Sequence, residues 1–164
     1  MVFSYYTHLS ETQKRVYRQS DSISSISLNQ TTGLFELVDL LASALEAKDN
    51  RLVQSVCQQL SDRILDNLQV DKIPVEILSV RPSNDWGELH GLYFQQVDGQ
   101  QPKIQLWMRT AQHKRVVAFK TFLRTLLHEI CHHLDYELHK LPDSLHTEGF
   151  YKRVSSLFHQ LNSD

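Results

Sequence analysis

The chain has 164 residues, of which 41% are hydrophobic and 22% are charged, and its formal net charge is −2 at pH 7. These values are typical of one soluble globular domain with a real core, and they argue against a protein built chiefly to coat nucleic acid. No apolar run approaches the roughly 20 residues of a membrane span, and the N-terminus lacks the apolar core of a signal peptide. We therefore expect a cytoplasmic protein without a membrane partner.

Residues 1–32 are rich in Ser, Thr, Gln and Tyr and show no sustained hydrophobic period. Apolar and polar residues alternate over residues 21–28, which is compatible with a short edge strand. Otherwise we expect residues 1–32 to form a flexible N-terminal arm, or a segment that packs late in folding. No chemistry is assigned to it, and residues 33–164 are predicted to form a single domain.

Two helices are predicted next. Apolar residues recur at helical spacing over residues 34–45 and again over residues 52–68. Thr32 or Gly33 marks the start of the first helix, and an Asp-Asn pair interrupts the pattern between the two. The pattern predicts an antiparallel helical hairpin that serves as scaffold, because its polar face carries no cluster of ligand residues.

Beyond the hairpin the hydrophobic period changes from 3.6 to 2, which indicates strands. We predict three of them, over residues 73–80, 89–97 and 103–109. The Asp-Gly pair between the last two is a good hairpin signal. The sequence therefore predicts a small antiparallel sheet directly before the next helix, and an α+β fold.

Such a sheet also has a functional implication. An extended peptide can add itself to a free sheet edge through main-chain hydrogen bonds. A cleft between this edge and the following helix would suit a peptide or protein substrate. Trp86 and His90 are candidates to lie near it, although a structural role for both is the simpler interpretation.

The most informative stretch is a His-Glu-x-x-His motif at residues 128–132, within an amphipathic helix. His128 and His132 are one turn apart, so both project from the same side, about 6 Å apart along the axis. That spacing lets both nitrogens reach one metal ion at the roughly 2.0–2.1 Å that zinc prefers. Glu129 lies about 100° around the helix, where it can accept a proton from metal-bound water without being a ligand.

Two neighbours of the motif have simpler interpretations. Cys131 lies nearer the flank of the helix, and we interpret it as a small buried residue rather than a third ligand or a nucleophile. Asp135 is one turn beyond His132, where it can orient an imidazole by accepting its other N–H. A salt bridge on the helix face is an equally good interpretation of Asp135.

A catalytic zinc has three protein ligands and one open position, so one ligand is still to be found. His133 points about 100° away from the pair and His139 is about 10 Å beyond it along the axis. The helix stops before Pro142, and a last helix follows after a short loop, so its first turn returns alongside the metal helix. His146 is therefore the predicted third ligand, and Glu148 is the alternative because zinc also accepts carboxylate oxygen.

These residues resemble the SprT-like and related minimal zincin metallopeptidases: His128-Glu129-x-x-His132, a short loop, then His146-x-x-x-Phe150. The resemblance covers roughly residues 73–161 and is specific in its C-terminal third only. It implies Zn²⁺ held by three histidines, a glutamate base and the hydrolysis of peptide bonds in a zincin-like fold. No cysteine-rich zinc ribbon follows, so the DNA-directed branch of such proteins finds no support here.

The mechanism implied is a metal-activated hydrolysis. Zinc lowers the pKa of its bound water from about 15.7 to about 7. Glu129 would accept the proton as that water attacks an amide carbonyl, and would return it to the leaving amine. Tyr151 and Arg153, one to two turns beyond His146, are the candidates for stabilising the developing oxyanion.

Two other classes of function remain open. The first is a metal-binding protein without turnover, although a purely structural site would have no need of a base such as Glu129. The second is a nucleic-acid-associated protein that uses residues 103–124, which contain six Lys or Arg and no acidic residue. A solvated surface is the preferred interpretation of that basic run.

Overall fold

The computed structural model describes residues 2–84, 87–88, 90–97 and 99–162 of the chain. This part of the chain contains a 3₁₀ helix, five α helices and five strands in an α+β arrangement. In chain order they are the 3₁₀ helix Ser4–His8, α1 (Glu11–Asp21), α2 (Leu34–Glu46), α3 (Asn50–Asn67), β1 (Val75–Val80), β2 (Ser83–Asn84), β3 (Gly87–Glu88), β4 (Gly91–Phe94), β5 (Lys103–Arg109), α4 (Phe119–Glu137) and α5 (Glu148–Leu161).

The main sheet has three strands in the order β1–β5–β4, with β5 in the centre. β4 and β5 form the predicted antiparallel hairpin, in which Tyr93 is opposite Ile104. Gly99 in its turn has a φ of 81°, while Asp98 lies outside the described residues. The prediction of an antiparallel sheet is wrong for the other pair, because β1 runs parallel to β5. The chain crosses from one side of β5 to the other between β1 and β4, and local hydrophobic period carries no information about such a crossing.

Two glutamines of α3 close the N-terminal part of the outer edge of β1. The Gln54 amide donates to the carbonyl of Val75 at 2.6 Å and accepts from the N–H of Ile77 at 2.8 Å. One turn later, Gln58 donates to the carbonyl of Ile73 and accepts from the N–H of Val75, both at 2.9 Å. The side chains thus take the place of a further strand on an edge that would otherwise expose unpaired backbone groups.

The helical hairpin is present as predicted, and it supplies more than a third of the buried hydrophobic cluster. Gly33 is the N-cap of α2, with a φ of 83°, and the carboxylate of Asp49 caps α3 by accepting the N–H of Leu52 at 3.1 Å. One hydrophobic cluster joins the hairpin to the sheet, α4 and α5. Fully buried members from each of these parts are Leu41, Leu60, Leu106, Leu126 and Leu157. This cluster anchors the apolar face of α4 and leaves its histidine face toward the sheet edge.

The N-terminal segment contains a helix that the periodicity did not predict. Ser10 and Gln13 form a capping box at the start of α1, and Tyr17 is fully buried on it. The edge strand considered for residues 21–28 is not formed. Instead this stretch runs along α5, where the side chain of Gln160 donates to the carbonyl of Ile26 at 2.7 Å and accepts from the N–H of Leu28 at 2.9 Å.

We expect Gln54→Ala and Gln58→Ala each to lower the free energy of unfolding by roughly 1–3 kcal/mol, because each leaves two backbone groups at the start of β1 or just before it without a partner. Urea denaturation measures the change. Gln59→Ala is the matched control, because its exposed amide contacts only Ser55 of the same helix, and we expect a change within about 0.5 kcal/mol. Equal urea denaturation midpoints for Gln58→Ala and Gln59→Ala would show that the side-chain hydrogen bonds to this edge do not stabilise the fold.

Candidate metal centre

The three predicted histidine ligands lie together. His128 and His132 project from α4, and His146 precedes Thr147, the N-cap residue of α5. Their Nε2 atoms form a triangle with sides of 3.0 Å (His132 to His146), 3.1 Å (His128 to His146) and 3.2 Å (His128 to His132). Within the described residues, these three form the group of side chains whose ligand atoms converge as a metal site requires.

The triangle is difficult to explain by hydrogen bonds among the rings alone. A neutral imidazole nitrogen either donates or accepts, so at least two of three adjacent Nε2 atoms must have the same role and repel each other. A cation at the centre removes this conflict. Tetrahedral zinc with bonds of 2.0–2.1 Å would place its ligand nitrogens about 3.3 Å apart, close to the observed separations. The donor set therefore fits a metal ion of this size.

The histidines are also in the protonation state that a metal needs. Burial, with a smaller contribution from His146, lowers the pKa of His128 to about 4. Burial and the two neighbouring rings lower the pKa of His132 to about 3. Burial lowers the pKa of His146 as well. All three rings are therefore neutral at pH 7, so no proton has to leave an imidazolium before a metal can bind.

A partly buried chain of hydrogen bonds orients His132. Its Nδ1 lies 2.7 Å from Oγ of Ser144, and the Ser144 hydroxyl donates to Oδ2 of Asp135 at 2.7 Å. Because the Ser144 hydroxyl donates its one proton to Asp135, it can only accept from His132. The proton of the His132 ring is therefore on Nδ1, and the lone pair is on Nε2. Asp135 does orient an imidazole, but through Ser144 rather than by direct contact. This arrangement fixes the tautomer that presents Nε2 to a metal.

The salt bridge considered for Asp135 is formed, but it is buried rather than on an exposed helix face. Nη2 of Arg153 donates to Oδ1 of Asp135 at 3.0 Å, and both side chains are fully buried. Arg153 also donates to the carbonyls of Ser20 and Ile23. With its guanidinium held there, Arg153 does not reach the histidine triangle, so its assignment as an oxyanion stabiliser is wrong.

Tyr151 is better placed than Arg153. Its ring centroid is 5.6 Å from that of His146 and 6.0 Å from that of His128, and the side chain is 43% exposed. Partial burial raises the pKa of its hydroxyl, so the group is a neutral phenol near pH 7. Tyr151 therefore remains a candidate hydrogen-bond donor at the edge of the site.

Glu129 is buried beside the three histidines. Only 6% of it is exposed, and burial raises its pKa from 4.5 to about 7. Gly91 of β4 lets the strand pack closely against it: a Cβ at that position would lie 3.1 Å from Cγ of Glu129 and 2.8 Å from Cγ2 of Thr125. A carboxyl group with a pKa near neutrality is suited to accept and return a proton.

The site opens into a groove along β4. Two cavities of about 520 and 420 Å³ both border Gly91, His128 and Glu129. The larger extends toward α5 and is also lined by His90, which was named as a candidate although a structural role was the preferred interpretation, whereas Trp86 lies outside the described residues. The smaller extends along the strand past Tyr93. A chain molecule lying in this groove would pass directly over the glutamate.

Other candidates from the sequence are not part of the cluster. Glu148, the alternative third ligand, is in the first turn of α5 and pairs with Lys152 at 3.2 Å. His133 turns away, and its Nδ1 lies 2.8 Å from the hydroxyl of Tyr93. Cys131 is fully buried, and burial raises the pKa of its thiol, so it is neither a ligand nor a nucleophile.

Part of the basic run borders a separate cavity of about 580 Å³ at the start of α4, whereas Arg124 lines the larger of the two cavities beside His128. Arg109, Lys114 and Arg115 border the separate cavity, together with Lys48 and one carboxylate, that of Glu46. This separate cavity contains none of the three histidines.

Sequence reasoning missed Ser144, Gly91 and the role of Arg153. Ser144 is in a loop, where no periodicity marks a functional position. The importance of Gly91 depends on the close approach of β4 to α4, which the sequence did not show. Pattern reasoning places an arginine on the surface by default.

No protein-family model, curated protein or solved structure matches this chain. None of the helices in the described part of the chain has the length and apolar character needed to cross a membrane.

We expect Glu129→Gln to stabilise the metal-free protein at pH 8 by roughly 1–3 kcal/mol and to have little effect at pH 4. The folded pKa of about 7 is above the reference value of 4.5. The folded state therefore keeps a proton that the unfolded state loses, and the contribution of Glu129 to stability falls as the pH rises from 4.5 through 7. Glutamine mimics the neutral acid and removes this dependence.

Urea denaturation in the presence of a chelator, at pH values between 4 and 8, measures this effect. Glu137→Gln, an exposed position two turns further along α4, is the control and should show no such gain. A Glu129→Gln gain that is the same at pH 4 and pH 8 would contradict the raised pKa.

Proposed function

We propose that the protein is a zinc-dependent metallopeptidase. The observation that carries this proposal is the convergence of three neutral Nε2 atoms, from His128, His132 and His146, beside the buried carboxyl of Glu129. A site that served only to hold the fold together would need no base at this position. The resemblance to SprT-like metallopeptidases points in the same direction.

When bound by the three histidines, zinc would lower the pKa of a coordinated water and polarise a substrate carbonyl. Glu129 accepts the proton of the attacking water and transfers it to the leaving amine. Ser144 and Asp135 keep the Nε2 lone pair of His132 directed at the site. The phenol of Tyr151 donates a hydrogen bond to the oxygen on which negative charge develops.

The groove along β4 suggests how a peptide or protein substrate binds. β4 is an outer strand of the sheet, and no strand pairs with its free edge in the described part of the chain. An extended peptide can bind such an edge through its main chain while its side chains enter the cavities on either side. Main-chain binding of this kind would hold the scissile bond beside Glu129 without requiring a particular sequence.

We expect Glu129→Gln to reduce peptide hydrolysis by roughly 10²–10⁴-fold because the general base is lost, with the zinc content unchanged. The measurement is cleavage of casein and of a peptide library, together with elemental analysis for zinc. Glu137→Gln is the control and should retain wild-type activity. A wild-type protein that holds one zinc yet cleaves nothing in a broad library would instead be a metal-binding protein without turnover.

Replacing the third ligand tests the metal site itself. We expect His146→Ala to lower zinc affinity by about 100-fold or more, since removing a ligand should cost more than removing a group that only orients one. Competition with a chromophoric chelator measures the affinity. His159→Ala, an exposed histidine on α5, should bind zinc as the wild type does. Full affinity in His146→Ala would mean that the third ligand has been wrongly assigned.

A further inference from the structure

The N-terminal segment, residues 2–23, contacts the loop that carries the third histidine. The hydroxyl of Tyr5 donates a hydrogen bond to the main-chain carbonyl of His146. Phe3 packs edge-on against Tyr151, with the ring centroids 6.1 Å apart. The N–H of Phe3 in turn donates to the hydroxyl of the buried Tyr17 at 2.9 Å. The first residues of the segment are thus fastened both to α1 and to the edge of the histidine cluster.

A second set of contacts joins the end of α1 to the first turn of α5. The hydroxyls of Ser20 and Thr147 are 3.0 Å apart in the buried interior, and Thr147 directly follows His146. The carboxylate of Asp21 accepts the N–H of Gly149 at 2.9 Å. A Cβ on Gly149 would lie only 2.5 Å from the main-chain oxygen of Asp21. The two backbones therefore approach as closely as a glycine permits, and the segment holds the start of α5 in place.

A third connection runs to a different ligand. Arg153 donates to the carbonyl of Ser20 at 2.6 Å and to its hydroxyl at 3.0 Å. The same guanidinium holds Asp135 at 3.0 Å, and Asp135 orients His132 through Ser144. The segment thus reaches both His146 and His132 through short hydrogen bonds, of which those made by Ser20 and those between Arg153 and Asp135 are buried.

We propose that docking of the N-terminal segment and metal binding at the three histidines are coupled, so that the segment acts as a clamp on the metal centre. The inference rests on the proposed function only in that the histidines bind a metal. The loop before α5 must hold Nε2 of His146 within 3.1 Å of the Nε2 atoms of His128 and His132, and each contact with the segment reduces its freedom to leave that position. Coupling of this kind is reciprocal, because a metal that favours the docked segment is itself bound more tightly when the segment is docked. A partner that withdrew the segment would weaken metal binding.

Two nearby tyrosines provide a matched test in the full-length protein. Tyr5→Phe keeps the ring but removes the donor to His146, and we expect zinc affinity to fall roughly 3–10-fold. Tyr6→Phe is the control: its hydroxyl accepts from Arg18 at 2.7 Å, and we expect no change in zinc affinity. Ser20→Ala removes two buried contacts and should lower the affinity roughly 10–100-fold, as is typical when a group that orients a ligand is lost.

Three measurements separate coupling from simple loss of stability. Zinc affinity is measured by competition with a chelator, and the visible absorption of the cobalt(II)-substituted protein reports the ligand geometry. Amide hydrogen exchange of residues 11–21 should slow on addition of zinc in the wild type and slow less in Tyr5→Phe. The cobalt spectrum should change in Tyr5→Phe and Ser20→Ala but not in Tyr6→Phe.

The outcomes are distinct. Wild-type affinity and an unchanged cobalt spectrum in both Tyr5→Phe and Ser20→Ala would overturn the clamp while leaving the peptidase proposal in place. A wild-type protein that binds no zinc would overturn both. Loss of cleavage in Glu129→Gln with the clamp effects intact would support both proposals independently.

Discussion

The buried pairing of Arg153 with Asp135 is the interaction on which the arrangement of the site depends. Burying two opposite charges is costly unless both are well hydrogen-bonded, and an apolar pair of similar size often gives equal or greater stability. Here four hydrogen bonds leave the two terminal nitrogens of Arg153, one to Asp135 and three to Ser20 and Ile23. The pair therefore connects α1, α4 and α5 at one point. It also holds Oδ2 of Asp135 where it accepts the hydrogen bond from the Ser144 hydroxyl. That acceptor decides which nitrogen of His132 carries the proton, so the buried charges are better explained by the chemistry of the site than by stability.

Much of the site could be predicted from local spacing, because local geometry determines it. One helical turn separates His128 from His132, and a short loop before an antiparallel helix was enough to nominate His146. The β4–β5 hairpin followed from its Asp-Gly turn in the same way.

The parallel pairing of β1 with β5 was not predictable, since strands distant in sequence carry no local mark of their partner or direction. Helix α1 was not predicted because its buried face has few apolar residues, such as Val16 and Tyr17. Arg153 was misassigned for a related reason: Ser20 and Ile23, at least 130 residues away in the chain, are what bury it.

The free edges of the two outer strands of the sheet differ: side chains bond to the edge of β1, whereas the edge of β4 is left open by the described residues. This contrast bears on function. An unpaired edge invites pairing with another chain, so proteins usually protect it. Along the first part of β1 and the residues just before it, the amides of Gln54 and Gln58 bond to the backbone groups of Ile73, Val75 and Ile77. On β4 no strand covers the edge in the described part of the chain, and Gly91 brings that strand close to Glu129. The edge left open is thus the one that borders the three histidines. An edge left open beside a buried carboxyl group and three converging histidines, while the other edge is partly closed, supports the proposal that an extended chain binds at that place.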